Sequence, residues 1–346
     1  MKSIWRTIGK IIFRTFLVLF TTVLLLVGGV LGLVYTFNYG PSPSARALFV
    51  SSVLETSAAG FLATWFLPAE EVETILATNT LSEFDVVTNP NLITIPEKTS
   101  ETVSNTEEKE IEFVKVSGLT YVGNMMIVKD PSRVFVGTCK HFNEIEEMGD
   151  KLGEMIEQND AIAGINGGGF YDPNGYGTGS VPDGFVFSKG EFLYSSTKWD
   201  ELLIGFDADH KLIVGEMTAE EAQEMGIRDA LTFGPALVVN GEPADVSGYG
   251  SGLNPRTAIG QRADGAVLML VIDGRQTNSL GASYSDLIEV MLEFGAINAA
   301  NLDGGNSSLM IYDGQAISKS NRLLGDREMP TCFLVERRPS DEEEQN

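Results

Sequence analysis

Five short segments in the C-terminal two thirds of the chain place glycine next to an apolar run, and all of them except 231–237 also carry an Asn, Asp or Arg side chain. Runs of this kind form buried strands, so each segment marks a strand end. Glycine lets the backbone approach a ligand and leaves its N–H unobstructed, which suits a sugar or a phosphate group. One such segment is an ordinary turn, but five in one domain favour a shared site. They are residues 165–172 (INGGGFYD), 231–237 (LTFGPAL), 254–260 (NPRTAIG), 271–275 (VIDGR) and 301–308 (NLDGGNSS).

The composition excludes several kinds of chemistry. The 346 residues carry a formal net charge of -24, whereas nucleic-acid binding needs a basic face. With only His141 and His210, and only Cys139 and Cys332, a three-His zinc site or a Cys-rich cluster is impossible, and neither His has the setting of a Ser-His-acid triad. Residues 172–174 space oxygen ligands somewhat like a calcium loop, but the segment is too short. We therefore expect no metal, no cofactor and no nucleic-acid partner.

The N-terminal region has the pattern of a membrane anchor. Residues 15–38 are uncharged and apolar, and at ~1.5 Å per residue they can cross a ~30 Å hydrocarbon core. Residues 1–14 are basic, and the first acidic residue is Glu55. The positive-inside rule then predicts a cytoplasmic tail at 1–14, a transmembrane signal-anchor at 15–38 and an extracytoplasmic remainder, as in a single-pass protein of the cell membrane. A cleaved signal peptide is the alternative, although its apolar region is usually shorter.

Two further regions precede the main domain. Residues 39–77 predict a juxtamembrane helical region, in which 47–67 forms either a second span or, in preference, an amphipathic helix near the membrane or on the domain. Residues 78–110 are rich in Thr, Asn, Ser, Pro and Glu with little periodicity, which predicts a linker or stalk. In an exported compartment Cys139 and Cys332 either form a disulfide or remain two buried thiols.

From residue 111 the pattern changes to many short strand-like runs separated by turns. Helical spacing is found only at 143–158, 218–225 and 285–294. This balance predicts an α+β domain at 111–336 with a mixed, largely antiparallel sheet and a few helices, followed by an acidic tail at 337–346.

The order and spacing of the glycine-rich segments resemble the phosphodiester glycosidases, the family of the N-acetylglucosamine-1-phosphodiester α-N-acetylglucosaminidase known as the uncovering enzyme. The chain would be a bacterial-type, membrane-anchored member. The resemblance covers about residues 111–336 and rests on NGGGF at 166–170, GP at 234–235, NPRTAIG at 254–260, DGR at 273–275, an acidic helix residue at 289 and NLDGG-SS at 301–308. One departure is Asn306, where the family usually has a third glycine.

The resemblance implies a hydrolase that cleaves the sugar C–O bond of a glycosyl phosphodiester. The departing phosphate monoester is already a good leaving group, so the protein must supply a carboxylate nucleophile or base and cations for the phosphate. The candidate catalytic residues are Asp303 first, then Asp273 or Glu289. The candidate substrate-binding residues are Asn166, Gly167, Gly168, Gly234, Arg256, Thr257, Arg275, Gly304, Gly305, Ser307 and Ser308. Residues Asn321 and Arg322 resemble a family position near the site, but we expect a surface loop there.

The expected substrate is a carbohydrate phosphodiester in a cell-wall polymer or an exopolysaccharide. Two alternatives remain. A non-catalytic glycan-binding or exopolysaccharide-assembly protein would keep the cleft without turnover. A metal-dependent phosphodiesterase would cut the P–O bond, but the scarcity of His disfavours it.

Overall fold

The structure, a computed structural model, describes residues 2–56, 59–84, 86–96, 110–173, 177–196, 201–319, 325–338 and 341. The apolar side chains of helix α1 (Lys2–Tyr39) are exposed along most of its length. Of the helices in these ranges, it is the one that is long and apolar enough to cross a membrane, over Trp5–Tyr39. A membrane anchor and a signal sequence both have such a helix.

Three short helices follow α1 and form what we call the juxtamembrane unit, residues 43–77. They are α2 (Pro43–Leu54), α3 (Phe61–Thr64) and α4 (Ala69–Ala77). Their apolar side chains form a small core of their own, with Val50, Ala63 and Leu67 at its centre. The stretch 47–67, considered as a second span, is divided between α2 and α3 and has Glu55 at the end of α2. Its sequence is therefore folded as short packed helices.

The described part of the predicted linker, up to residue 96, follows the surface of the main domain. Backbone N–H groups of Thr80, Ser82, Thr88 and Thr94 donate to carbonyl oxygens of the domain at 2.8–3.1 Å. The Ile93 side chain is buried. The described residues 79–84 and 86–96 therefore run along the domain, with backbone groups that pair with it, and the linker or stalk at 78–110 stays a prediction. Residues 97–109 lie outside the described residues.

The main domain contains nineteen named strands within the described ranges. In chain order they are β1 (Ile111–Ser117), β2 (Val122–Val128), β3 (Val134–Thr138), β4 (Asp150–Lys151), β5 (Ala161–Asn166), β6 (Phe185–Ser188), β7 (Glu191–Ser195), β8 (Glu201–Asp207), β9 (Leu212–Met217), β10 (Ile227–Thr232), β11 (Ala236–Val239), β12 (Glu242–Pro243), β13 (Arg256–Arg262), β14 (Val267–Ile272), β15 (Ala296–Leu302), β16 (Met310–Tyr312), β17 (Gln315–Ala316), β18 (Glu328–Met329) and β19 (Thr331–Glu336). The helices of the domain are α5 (Leu152–Gln158), α6 (Ala219–Glu224) and α7 (Tyr284–Glu293).

Three sheets pack around one common core. Their strand orders are β1-β2-β14-β13-β15-β11-β12, β7-β6-β10-β8-β9 and β17-β16-β5-β19-β3, and β4 pairs with β18. Side chains from all three sheets, such as Met269, Phe206 and Phe333, meet in that core. The outer faces pack against α7, α6 and α5 respectively. Because both faces are covered, β14 is a continuous apolar run instead of an alternating one, and β13 is buried along almost its whole length although it contains polar residues.

The predicted α+β class with a largely antiparallel sheet is confirmed, and every strand pairing in the described ranges is antiparallel. One local prediction was wrong, and a short strand was missed. The helix expected at 143–158 begins only at Leu152, because Asn143 has a left-handed φ of 64° and the chain before β4 forms turns. Strand β6 was not predicted, since its four residues are too few to show a period.

A buried arginine joins the two ends of the domain. Arg133, which is 0% exposed, donates to the Glu110 and Asp341 carboxylates at 2.7 and 2.6 Å and to the Glu336 carbonyl oxygen. Of the acidic tail, residues 339–340 and 342–346 lie outside the described residues.

Cys139 and Cys332 are free, buried thiols, and burial raises the pKa of Cys139 to about 11.

Candidate active site

The antiparallel register brings three of the five glycine-rich segments together. In the largest sheet β13 lies between β14 and β15, with Arg256 opposite Ile272 and Thr257 opposite Leu302. The start of β13 therefore lies beside the ends of both neighbours, where Asp273 to Arg275 and Asp303 follow. Sequence-distant Arg256, Arg275 and Asp303 thus reach the same sheet edge.

These residues line a cavity of about 360 Å³. Its wall includes Arg256, Arg275, Asp303, Gly304 and Gly305 from the predicted site. The remaining lining residues are Glu55, Asp172, Phe233, Asn254, Tyr284, Asn301, Asn306 and Arg327. The cavity thus combines guanidinium groups with carboxylates and has the size of a small-ligand site.

The Asp303 carboxylate is partly buried at the end of β15. Its Oδ1 accepts the N–H of Gly304 at 2.8 Å, and its backbone N–H donates to the Gly167 carbonyl oxygen at 3.1 Å. Burial raises the pKa of Asp303 to about 6, opposed by Ser307, by the Arg327 charge and by the Gly304 N–H. A carboxyl group with this pKa exchanges protons near neutral pH, as a general base or acid must.

The Arg256 guanidinium is buried and occupied by partners within the protein. Its Nη2 donates to Glu55 Oε2 at 2.6 Å and to the Gly252 carbonyl oxygen at 3.0 Å, and its Nε donates to the Ala282 carbonyl oxygen at 3.3 Å. The guanidinium also lies over the Tyr284 ring, 4.4 Å from the ring centroid. These contacts fix the position of a permanent positive charge in the cavity.

The Arg275 guanidinium approaches the same cavity from the turn after β14. Its Nη1 donates to Asn306 Oδ1 at 2.9 Å, and its Nη2 lies 3.3 Å from both Thr56 Oγ1 and Asn254 Oδ1. Burial and the nearby Arg256 charge lower the pKa of Arg275. Two neighbouring guanidinium groups repel each other, and an anion bound between them would relieve that repulsion.

Glu55 enters the cavity from the juxtamembrane unit, far from the motifs in sequence. Besides Arg256, its carboxylate accepts the backbone N–H of Gly252 at 2.7 Å and Nδ2 of Asn254 at 2.9 Å. Glu55 closes α2, and Ser52 of the same helix accepts the N–H of Leu253 at 2.7 Å. The end of α2 is therefore built into the cleft. Sequence reasoning missed Glu55, because a single acidic residue after an apolar helix carries no motif.

The side chains of Asn166 and Thr257 form a hydrogen-bonded chain that ends on the backbone of Asp303. Asn166 Nδ2 donates to the Asp303 carbonyl oxygen at 2.6 Å, and Asn166 Oδ1 accepts from Thr257 Oγ1 at 2.7 Å and from the N–H of Leu309 at 3.2 Å. Both side chains are buried, and neither lines the cavity. Their contacts join β5, β13 and the loop after β15, which indicates a positioning function.

The glycines of the NGGGF segment permit close packing and do not line this cavity. A Cβ on Gly167 would lie 2.6 Å from Thr331 Oγ1, and one on Gly168 would lie 2.4 Å from the Thr232 carbonyl oxygen. Gly234, the residue before the cis Pro235, lines a neighbouring cavity of about 640 Å³ and accepts Nδ2 of Asn301 at 2.8 Å. These residues shape the walls behind the site.

The loop after Asp303 accommodates Asn306 without strain. Gly305 has the left-handed φ of 62°, and Asn306 does not. The residue that departs from the family pattern therefore occupies a position that needs no glycine, and its side chain accepts a hydrogen bond from Arg275. Ser307 and Ser308 are 1% exposed. The Ser307 hydroxyl lies close enough to the Asp303 carboxyl to lower its pKa, and no hydrogen bond to the Ser308 hydroxyl is found among the described residues. The same holds for Oδ1 of Asn301.

The structure does not bring Asp273 and Glu289 into the cavity. Asp273 Oδ1 accepts the N–H of Lys319 at 2.7 Å, so this carboxylate ties the end of β14 to the chain after β17. Glu289 is exposed on α7, because the neighbouring Leu287, Ile288, Val290 and Met291 face the core. Asp273 therefore holds the chain next to the cavity, and Glu289 lies on the surface of α7.

Asp172 and Arg327 form an ion pair at the cavity wall, and Arg327 lies over the Phe170 ring at 4.7 Å. The sequence singled out neither residue as catalytic or substrate-binding, because their pairing spans 155 residues. Asn174, Asn321 and Arg322 lie outside the described residues. Within the described ranges no group of three or more His, Cys, Asp or Glu is placed to hold a metal ion.

Comparison with known proteins identifies the family of the chain. Residues 159–336 match the model of the phosphodiester glycosidase family, and the chain belongs to that family. This confirms the resemblance drawn from the motifs.

Two curated relatives match part of the chain. The SPbeta prophage-derived uncharacterized protein YomE of Bacillus subtilis (strain 168) is 29% identical over 197 residues, which are 55% of this chain and 29% of the relative. The N-acetylglucosamine-1-phosphodiester alpha-N-acetylglucosaminidase of Mus musculus is 25% identical over 228 residues, which are 58% of this chain and 42% of that enzyme. The chain thus spans less than half the length of either relative.

A solved structure shares the fold. It is the zebrafish N-acetylglucosamine-1-phosphodiester alpha-N-acetylglucosaminidase catalytic domain auto-inhibited by pro-peptide, with a TM-score of 0.56 and 18% sequence identity. The alignment covers 67% of this chain and 85% of the zebrafish chain.

Proposed function

We propose that the protein hydrolyses glycosyl phosphodiesters at the sugar C–O bond. The observation that carries the proposal is the convergence of two guanidinium groups and one carboxyl of raised pKa in a single cavity. Guanidinium groups pair bidentately with phosphate, and a carboxylate at the sugar carbon is the recurrent device of glycoside hydrolysis. Membership of the phosphodiester glycosidase family supports the same reaction.

In the proposed reaction Arg256 and Arg275 bind the phosphate, and Asp303 acts as nucleophile or base at the anomeric carbon. Water supplies the new C–O bond to the sugar, directly or after a glycosyl–Asp303 intermediate, and the bond to the phosphate oxygen breaks with its electron pair. The phosphate monoester leaves as an anion that the two guanidinium groups stabilise. Buried polar atoms normally have hydrogen-bond partners. Asn301 lines the cavity and its Oδ1 has no partner among the described residues, so this atom suits a substrate hydroxyl group.

The Glu55 carboxylate pairs with Arg256, where the proposed phosphate would bind. Arg256 cannot offer a phosphate two parallel hydrogen bonds while its Nη2 pairs with Glu55 and Gly252. We propose that substrate displaces Glu55, so that the end of α2 holds the site closed. The zebrafish catalytic domain is described as auto-inhibited by its pro-peptide, and here a segment N-terminal to the domain occupies the cleft.

The proposed location is extracytoplasmic, with α1 as an uncleaved anchor, and the proposed substrates belong to a cell-wall polymer or an exopolysaccharide. The basic residues before the apolar part of α1 support this orientation. Protease added to intact cells should digest the domain and spare a short N-terminal fragment. Full protection of the domain would reverse the orientation.

Product analysis tests the reaction. The full chain in nanodiscs is incubated with a sugar-1-phosphodiester, and the products are separated. Free sugar with a phosphomonoester is the expected result. Sugar-1-phosphate would show P–O cleavage, and binding without turnover would establish the alternative of a glycan-binding or exopolysaccharide-assembly protein.

A further inference from the structure

The last turn of α1 is joined to the juxtamembrane unit by specific contacts. Asn38 Nδ2 donates to the Leu62 carbonyl oxygen at 3.2 Å, and the Tyr39 hydroxyl donates to the Phe66 carbonyl oxygen. The Phe37 and Phe49 rings stack with centroids 5.0 Å apart. Both α2 and α3 are therefore held against the end of α1.

Exposed aromatic side chains surround this junction, and we call them the aromatic face: Tyr35, Tyr39, Phe61 and Trp65. They are 58%, 44%, 43% and 77% exposed, in two pairs with ring centroids 4.8 Å apart in each. Exposed apolar patches mark interaction sites, and Trp and Tyr are enriched at the boundary between hydrocarbon and water. The aromatic face lies at the end of the uncharged stretch of α1, where that boundary falls if α1 spans a membrane.

We propose that the aromatic face lies in the membrane interface and holds the catalytic cleft close above the bilayer, so that the substrate is a glycosyl phosphodiester carried on a membrane lipid. The substrate class rests on the proposed function. The lipid contact rests on the aromatic face and its continuity with α1. Exposed Glu70 and Glu73 on α4 would be repelled by anionic lipid, so the contact is apolar and does not depend on charge.

The distance from the bilayer to the cleft follows from α2. Glu55, which pairs with Arg256, is six residues after Phe49, and a helix rises ~1.5 Å per residue, so Glu55 lies ~9 Å along the axis from a residue stacked on α1. The next residue, Thr56, contacts Arg275. Phe61 of the aromatic face follows five residues after Thr56 in the chain. The Phe37 and Phe49 ring centroids are 5.0 Å apart. When this distance and the side-chain lengths are added to the rise along α2, the proposed phosphate site at Arg256 lies within about 20 Å of the end of α1. A lipid-borne phosphodiester with a short headgroup glycan spans that gap.

The aromatic face is tested by the fluorescence of Trp65 in the full chain. Trp5→Phe and Trp199→Phe leave Trp65 as the single tryptophan, and the protein is reconstituted into zwitterionic phosphatidylcholine vesicles. Lipids brominated near the headgroup should quench Trp65 strongly, and aqueous iodide should quench it weakly. The matched control is a chain with Trp65→Phe added and Met225→Trp on the exposed end of α6, which iodide should quench strongly. Equal iodide quenching at positions 65 and 225 would overturn the membrane contact.

The substrate class is tested by two glycosyl phosphodiesters with the same sugar, one on a lipid in the same nanodisc and one with a short water-soluble aglycone. We expect at least 10-fold faster turnover of the lipid-borne substrate. Phe61→Ser with Trp65→Ser should lower that turnover at least 5-fold and change turnover of the soluble substrate less than 2-fold. Cleavage of the soluble substrate alone would overturn the inference and leave the proposed function standing. Cleavage of neither would overturn the proposed function, while Trp65 quenching decides the membrane contact independently.

Discussion

Glu55 Oε2 lies 2.6 Å from Arg256 Nη2, although the two residues are 201 positions apart in the chain. The pair links the juxtamembrane unit to the first residue of β13, beside the Arg275 guanidinium. Any anionic substrate that uses Arg256 must compete with this carboxylate. The following variants separate that competition from catalysis and from folding.

Glu55→Gln should increase turnover at low substrate concentration. Loss of the charge weakens the ion pair with Arg256 and frees the guanidinium for phosphate, so we expect KM to fall about 3- to 10-fold with kcat little changed. Glu71→Gln, which breaks the Arg46–Glu71 pair in the same juxtamembrane unit, is the matched control and should leave KM unchanged. A fall in kcat for Glu55→Gln, with the fold intact, would instead make Glu55 a catalytic group.

Arg256→Lys should keep the positive charge but lose the bidentate geometry. We expect kcat/KM to fall by about 10-fold or more, the size of one strong charge-assisted contact. Arg262→Lys changes the other end of β13, where the side chain pairs with Asp264 on the surface, and should have no effect on kcat/KM. Unchanged kinetics for Arg256→Lys would remove Arg256 from phosphate binding, and loss of the folded state would make it a structural residue.

Asp303→Asn should lower turnover by at least ~10³-fold, as expected on removing a principal catalytic group. In the unsubstituted protein kcat/KM should rise with pH through about 6, because the pKa of Asp303 lies there and the ionised form reacts. Asp264→Asn is the control for the loss of one surface charge. Near-normal turnover in Asp303→Asn would disprove the assigned function.

The same variant should change the pH dependence of stability. The pKa of Asp303 is about 6 in the folded protein against 3.8 for an exposed carboxyl. The folded state therefore binds the proton more tightly, so this group's stabilising contribution is full below pH 3.8 and is lost as pH rises through about 6. Relative to the unsubstituted protein, Asp303→Asn should gain about 2 kcal/mol in the free energy of unfolding by urea between pH 4 and pH 7.5. A constant difference across that range would contradict the raised pKa.

Gly305→Ala should impair substrate binding in addition to stability. Gly305 has a φ of 62°, and an added Cβ would lie 3.4 Å from Arg275 Nη2. Gly314→Ala is the matched variant, because Gly314 has a φ of 70° and nothing within 4 Å of the added Cβ. We expect both to lose about 1 kcal/mol of folding free energy, and only Gly305→Ala to raise KM. Equal KM values for the two variants would show that displacing Arg275 does not affect substrate binding.

Glu289→Gln should leave kcat and KM within about 2-fold, since a surface substitution away from the site seldom matters. Asp273→Asn should lower Tm, because the carboxylate accepts the Lys319 N–H, with a smaller effect on turnover than Asp303→Asn. A loss of turnover in Glu289→Gln comparable to that of Asp303→Asn would restore Glu289 as a catalytic candidate.

The sequence allowed the prediction of those site residues that belong to strand ends. Arg256 begins the buried strand β13, and Arg275 and Asp303 follow the buried strands β14 and β15. Antiparallel neighbours bring such ends together. Glu55, Asp172 and Arg327 could not be predicted, since their places depend on contacts across 155 to 201 residues that leave no local pattern. Asn166 shows a related limit. A polar residue at a strand end was expected to contact substrate, and it instead hydrogen-bonds the backbone that carries Asp303.

The segment 79–96 also determines how the protein can be shortened. Its backbone pairs with the domain at Ser247, Asp245, Val214 and Ala263, and Glu83 and Phe84 form part of the larger cavity. A recombinant fragment started at residue 111, or at the start of the family match at 159, would leave those carbonyl groups unpaired and remove the wall of that cavity. Tolerance of truncation follows from burial and backbone pairing instead of motif boundaries. A soluble form for biochemistry therefore has to begin before residue 79, and one that begins ahead of α2 also retains Glu55.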